Sequence, residues 1–203
     1  MARYTGPKAR RWRRLGQVPP EGVAITVSRR NFPPGQHGLR RGAKLSEFGQ
    51  QLHEKQKAKY TYGILERQFA GYYRKADKQT GVTGENLMRM LEVRLDNVVY
   101  RLGLAASRHQ ARQLVTHGHV RVNDRKVSIP SASVSVGDQV AFTEKYRVVA
   151  KEKIDLEALK QAPIPDWLQL NVKELSGSVL AEPARVEMDN TINEQLIVEY
   201  YSR

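Results

Sequence analysis

The 203-residue sequence has no cysteine. That excludes disulfides, thiolate catalysis and cysteine zinc fingers. No apolar run approaches the roughly 20 residues that cross a bilayer, so no membrane span is expected. The first residues are basic and no apolar stretch follows them, which argues against a secretory leader and for the cytoplasm. Aromatic residues make up only 7%. There is no glycine-rich phosphate loop with its lysine, no HExxH and no Ser-His-Asp signal. No catalytic residue, metal or cofactor is therefore expected. Acidic residues are also scarce, 21 against 34 Lys+Arg, which leaves a formal net charge of +13.

What is present is positive charge, unevenly placed. Residues 1–60 hold 14 basic and 3 acidic side chains, and residues 101–150 hold 8 and 3. Residues 151–203 reverse the sign, with 6 basic and 10 acidic. A chain this basic seeks polyanions, with nucleic acid first and an anionic membrane surface second. The acidic tail should face something else.

The opening MARYTGPKARRWRR has six basic residues in fourteen: Arg3, Lys8, Arg10, Arg11, Arg13 and Arg14. Apolar residues are few and unperiodic as far as about Lys44, so the segment cannot offset its own chain entropy. It reads as an extended arm ordered by a polyanion rather than a plain solubilising tail. Tyr4 and Trp12 interleave with the charge and are candidates to stack on bases. NFPPGQHGLRRGAK follows, with turns at Pro33, Pro34, Gly35 and Gly38 and a second basic cluster in Arg40, Arg41 and Lys44.

Helices come next. Ser46 can cap one that puts Phe48, Leu52 and Tyr60 near one face. Leu65, Phe69, Tyr72 and Ala76 mark a second, stopped by Gly81. Leu87, Leu91, Leu95, Val98 and Leu102 form a continuous apolar stripe that predicts a single helix closed by Gly103.

The stretch SRHQARQLVTHGHVRVND, residues 107–124, carries the functional signal. Ser107 can cap a helix whose Ala111, Leu114 and Val115 face a core. Arg108, His109, Arg112, Gln113 and Thr116 gather opposite. Arg108 and Arg112 are one turn apart and should project together, a small repulsion that phosphates would relieve. Charge reversal there should then weaken RNA binding and flatten its salt dependence. Gly118 ends the helix between His117 and His119. Val120 and Val122 turn inward and Arg121 outward. Asn123-Asp124 suits a tight turn, with Arg125 and Lys126 beside it. Val127 and Ile129 continue the inward face, and VSVGDQVAF alternates as another strand pair around Gly137-Asp138. A DNA-reading helix-turn-helix would need a second helix after Gly118, where the pattern is strand-like. Folded RNA, held through phosphate geometry, 2′-hydroxyls and stacked bases, fits better.

These residues resemble the RNA-binding module named after small-subunit ribosomal protein four. MARYTGPK, PPGQHG, EKQK, YGILERQF, TGENL, RLDNVVYRLG and INEQLIVEYYSR extend the resemblance to that ribosomal family over nearly the whole chain. It implies an α+β fold, a helical domain with an inserted small α/β module behind a basic arm. The expected parts are an arm over 1–45, a helical domain over 46–92, the module over 93–155 and a returning segment over 156–203. The resemblance implies a bacterial or organellar small-subunit protein that binds ribosomal RNA early at a 5′-domain junction and nucleates assembly. By position, Arg40, Arg41 and Lys44 match a cluster lining the channel through which messenger RNA enters. The acidic C-terminal part resembles the surface that meets neighbouring protein five, an interface linked to decoding accuracy. Many relatives hold zinc in the arm through four cysteines; Ala9 and Trp12 stand where the first two would be, so a metal-free arm is expected.

Two tempting sites are weaker. Arg94-Leu95-Asp96 resembles a pseudouridine-synthase signature, but it precedes the module, and too little chain follows residue 150 for a catalytic domain. A helix-surface ion pair between Arg94 and Asp96 is the expectation. His117 and His119 have no third ligand in sight, so a metal site is not expected. A free-standing RNA regulator is disfavoured because Leu196, Ile197, Tyr200 and Tyr201, at helical spacing, suggest a fixed protein neighbour.

Overall fold

The computed structural model describes residues 4–17, 27, 29–39, 44–154, 157, 159 and 163–203. Among them are eight α-helices: α1 (Lys8–Leu15), α2 (Glu47–Thr61), α3 (Glu66–Asp77), α4 (Thr83–Glu92), α5 (Leu95–Arg101), α6 (Arg108–Thr116), α7 (Glu144–Lys153) and α8 (Glu194–Tyr201). Five strands accompany them: β1 (Val120–Val122), β2 (Arg125–Lys126), β3 (Gln139–Phe142), β4 (Leu168–Asn171) and β5 (Ser176–Val179). The fold is α+β. The chain divides into one unit of residues 1–84 with 191–203 and a second of residues 85–190. No helix among the described residues is long and apolar enough to cross a membrane.

The first unit is helical. Ser46 caps α2 by accepting from the Gly49 amide at 3.2 Å, and Asn193 caps α8 by accepting from the Gln195 amide. The terminal helix α8 packs on α2. Ile197 is fully buried there, and Tyr201 stacks on Tyr73 with ring centroids 4.7 Å apart. The neighbour of the C-terminal aromatic face is thus the chain's own helical unit. Glu66 ties the group together, accepting from Lys55 at 2.9 Å, Lys59 at 2.8 Å and the Tyr201 hydroxyl at 2.8 Å. Burial works to raise its carboxyl, but those hydrogen bonds outweigh it and hold the pKa at about 2. The same burial and the bond to Glu66 push the Tyr201 hydroxyl up.

The second unit sets helices on one antiparallel sheet, in the order β2-β1-β3-β5-β4. Leu95, Val98 and Val99 of α5 and Leu102 at its C-terminal end meet Ala111, Leu114 and Val115 of α6, together with Val120, Val140, Phe142 and Val179 of the sheet. Gly177 of β5 lets this happen: a Cβ there would lie 2.4 Å from a Leu102 methyl and 3.0 Å from the Gln169 carbonyl oxygen.

The structure corrects several expectations. The long helix over 83–103 is two helices, because Arg94 is extended (φ −67°, ψ 138°). Its neighbours bond to an incoming loop instead of to a helix: Leu95 N–H donates to Ala132 O, Asp96 N–H to Pro130 O, and Val93 O accepts from Val134 N–H. Residues 134–137, the VSVG stretch, form no strand; the residue before them, Ser133, makes an isolated bridge to Arg94. Ile129 is exposed. The β4–β5 hairpin had no counterpart in the sequence reading. It places residues 156–190 with the second unit, so only 191–203 return to the helical one.

Candidate RNA-binding surface

Helix α6 starts where Ser107 accepts from the Gln110 amide at 3.3 Å and buries Ala111, Leu114 and Val115. His109, Gln113, Thr116 and His117 are exposed. Arg108 and Arg112 do not share that outward face. Arg108 is only 7% exposed; its Nε donates to Asn97 Oδ1 at 2.8 Å, and its guanidinium lies 4.4 Å from the Tyr100 ring centroid. Arg112 donates from Nε and Nη2 to Asp96 Oδ2 at 2.9 and 2.5 Å.

Both arginines belong to a buried polar network that fastens α6 to α5. Asp96 also accepts from Arg94 Nε and Nη2, at 3.1 and 2.9 Å. That ion pair is buried, with side chains 3% and 5% exposed, not on a helix surface as expected. Glu92 accepts from Asn97 Nδ2 at 2.6 Å and from both Arg101 Nε and Nη2. Buried charges need such complete pairing. The counter-charge that the sequence reading assigned to phosphate is supplied to Arg112 by Asp96. The sequence pointed to the Arg94–Asp96 pair but not to the bond from Arg112 to Asp96, and Glu92 and Asn97 were missed; their signal was polarity persisting beside a stripe of leucines.

Past α6 the chain reverses at Gly118 (φ 71°) and enters β1. The β1–β2 turn has Asn123 and Asp124 both left-handed, at φ 48° and 63°, which matches the strand twist. Asn123 is fixed by its side chain, which donates to Asp138 Oδ1 at 2.6 Å and accepts from the Gln139 amide at 2.9 Å. Arg121 is half-buried between Asp124 and Glu144, at 3.8 and 3.6 Å. Arg125 and Lys126 are exposed at the turn. His119 stacks on Tyr146 at 4.3 Å and 18°, and burial, His117 and Lys126 push its pKa down. Tyr146 was not anticipated as part of this surface.

In the first unit the basic segment is not wholly extended: Lys8–Leu15 is helical, while residues 29–39 are turns and bends. Lysine and arginine favour helix, and one aromatic anchors it. Trp12 is buried and meets Tyr60 edge-on at 6.3 Å, so it is not available to stack on bases. Arg11 lies 3.0 Å from the Tyr4 ring centroid and 4.7 Å from that of Tyr60. Arg13 Nε donates to Phe32 O at 2.9 Å. Arg10, Arg14 and Lys44 are exposed, while Lys8 is half-buried. Arg3, Arg40 and Arg41 lie outside the described residues. Among the described residues no group of three or more His, Asp or Glu is placed to hold a metal ion.

The family model for the ribosomal protein S4/S9 N-terminal domain matches residues 3–92, and that for the S4 domain matches 93–140. The chain is 51% identical over 207 residues to small ribosomal subunit protein uS4 of Chloroflexus aurantiacus, with 100% of both chains covered. It is 52% identical over 206 residues to that of Roseiflexus castenholzii and 51% over 209 residues to that of Geotalea daltonii, again with full coverage. The chain belongs to the uS4 family of small ribosomal subunit proteins. It is a ribosomal constituent with an RNA-binding S4 domain and not an enzyme. The α6–turn segment falls wholly inside that domain.

Proposed function

We propose that this uS4-family chain is a primary binder of small-subunit ribosomal RNA that docks at a junction of the 5′ domain and nucleates assembly. The observation that carries the reading is a set of exposed cations on each unit, on a helix anchored by Trp12 in the first and on a hairpin turn in the second. Arg10 and Arg14 are exposed on α1, which Trp12 anchors, and Arg125 and Lys126 sit on a turn fixed by Asn123. These four engage phosphates, supported by His109, Gln113, Thr116 and His117 at the outer face of α6. Arg108 and Arg112 act by holding α6 in place. Arg3, Lys8, Arg11, Arg13 and Arg121 add to the positive field beside these contacts, with the Tyr4 and His119 rings next to them. Arg40, Arg41 and Lys44 line the channel for incoming messenger RNA. The acidic C-terminal part meets neighbouring protein five, and through it affects decoding accuracy.

The test is co-sedimentation. The protein is expected to travel with small subunits through a moderate-salt wash. Recovery only in the unbound fraction contradicts the proposal.

A further inference from the structure

The corner where α6 turns into β1 holds more than charge. Phe142, 3% exposed, meets Tyr146 at 5.1 Å and 66°. Tyr146 stacks on His119, and His119 meets His117 at 6.0 Å and 61°. The four rings form a ladder that begins in the core and ends at an exposed imidazole. His119 is locked in place because its carbonyl accepts from the Thr143 amide at 2.8 Å. A core histidine would end the ladder inside; this one continues outward.

Gly118 is the second part of the corner. A Cβ there would meet Lys126 Cε at 2.2 Å and Nζ at 2.9 Å. The lysine stem therefore crosses the glycine, which His117 and His119 flank in the chain, and its ammonium acts on His119. Burial, His117 and that cation push the His119 pKa down. The result is a ring ladder next to a cation, with Arg125 adjacent in the chain. A ring face and a neighbouring cation match the two ends of a nucleotide.

Resting on the RNA-binding reading above, we propose that this corner docks one unpaired ribonucleotide of the bound RNA, its base stacked on His117 and its phosphate on Lys126. Gly118 serves the site by leaving room for the lysine.

The probe is a transcript of the small-subunit ribosomal RNA 5′ domain, bound by the full chain in a filter assay. His117→Ala is expected to weaken binding about tenfold, the scale of one lost base–aromatic stack. His117→Phe retains near wild-type affinity, and His117→Gln is as weak as alanine. Lys126→Gln lowers the log–log salt slope by roughly 0.7–0.9, one phosphate contact. Alanine binding like wild type, or phenylalanine as weak as alanine, overturns the stacked base. An unchanged slope in Lys126→Gln overturns the phosphate contact. If the wild-type chain shows no salt-dependent binding, the broader reading fails with it; wild-type binding with indifferent His117 variants defeats the corner alone.

Discussion

Arg112 closes on Asp96 with two nitrogens on one carboxylate oxygen, at 2.9 and 2.5 Å, across the junction of α6 and α5. The helix that carries the outer face of the module is thereby held by a charge pair rather than by apolar contact alone. Removing one partner leaves the other charge in a poorly solvated place. Arg94 still pairs with Asp96, which limits the loss. Arg112→Gln should cost about 1–3 kcal/mol of stability. Chemical denaturation of Arg112→Gln, Asp96→Asn and the double variant should show a coupling of roughly 0.5–3 kcal/mol; additive effects would mean that the pair does not hold the helix.

Trp12 predicts the behaviour of the basic helix α1. Its indole is the sole buried side chain of that helix. Trp12→Ala should release α1 while the rest of the chain still unfolds cooperatively. Trypsin cleavage at Arg10, Arg11, Arg13 and Arg14 is the readout, and it should accelerate severalfold. Unchanged cleavage would show that the anchor lies elsewhere.

Glu66 predicts an acid dependence. Its carboxyl pKa is about 2 when folded, against an ordinary value of 4.5. A depressed carboxylate stabilises the fold fully above its unfolded value, and that contribution is lost as pH falls from about 4.5 through 2. The melting temperature of the wild type should drop over that window. Glu66→Gln should start lower and drop less there. Parallel curves for the two proteins would contradict the Lys55–Lys59–Tyr201 cluster.

Gly177 predicts a steric limit in the module. An alanine Cβ would press on Leu102, which is fully buried and has little room to yield. Gly177→Ala should destabilise by about 1–3 kcal/mol, measured by thermal unfolding. A neutral result would mean that β5 can move away from α5.

Much of this fold is legible in the residues. The apolar stripe from Leu87 to Leu102 is buried along its whole length, and the Asn123-Asp124 turn adopts the left-handed backbone its residue types favour. The break at Arg94 was hidden because the same apolar period continues on both sides of it. The outward pair Arg108 and Arg112 misled for a related reason. Helical geometry says which side chains lie one turn apart, but not whether a neighbouring helix offers a carboxylate; Asp96 does, 16 residues away in sequence. Trp12 shows the same limit, since periodicity cannot work on a segment with one apolar anchor. The β4–β5 hairpin escaped notice because Ser176, Gly177 and Ser178 carry little strand signal, and Gly177 is there for Leu102.

The central claim is that outward cations touch RNA while the inward arginines of α6 brace the module. Salt dependence of binding to small-subunit ribosomal RNA separates the two roles, because each phosphate contact adds roughly 0.7–0.9 to the log–log slope. Replacing Arg125 and Lys126 together with glutamine should lower that slope by about 1.4–1.8, whereas Arg112→Gln should weaken binding at an unchanged slope. A slope that falls in Arg112→Gln and holds in the turn variant would contradict the account.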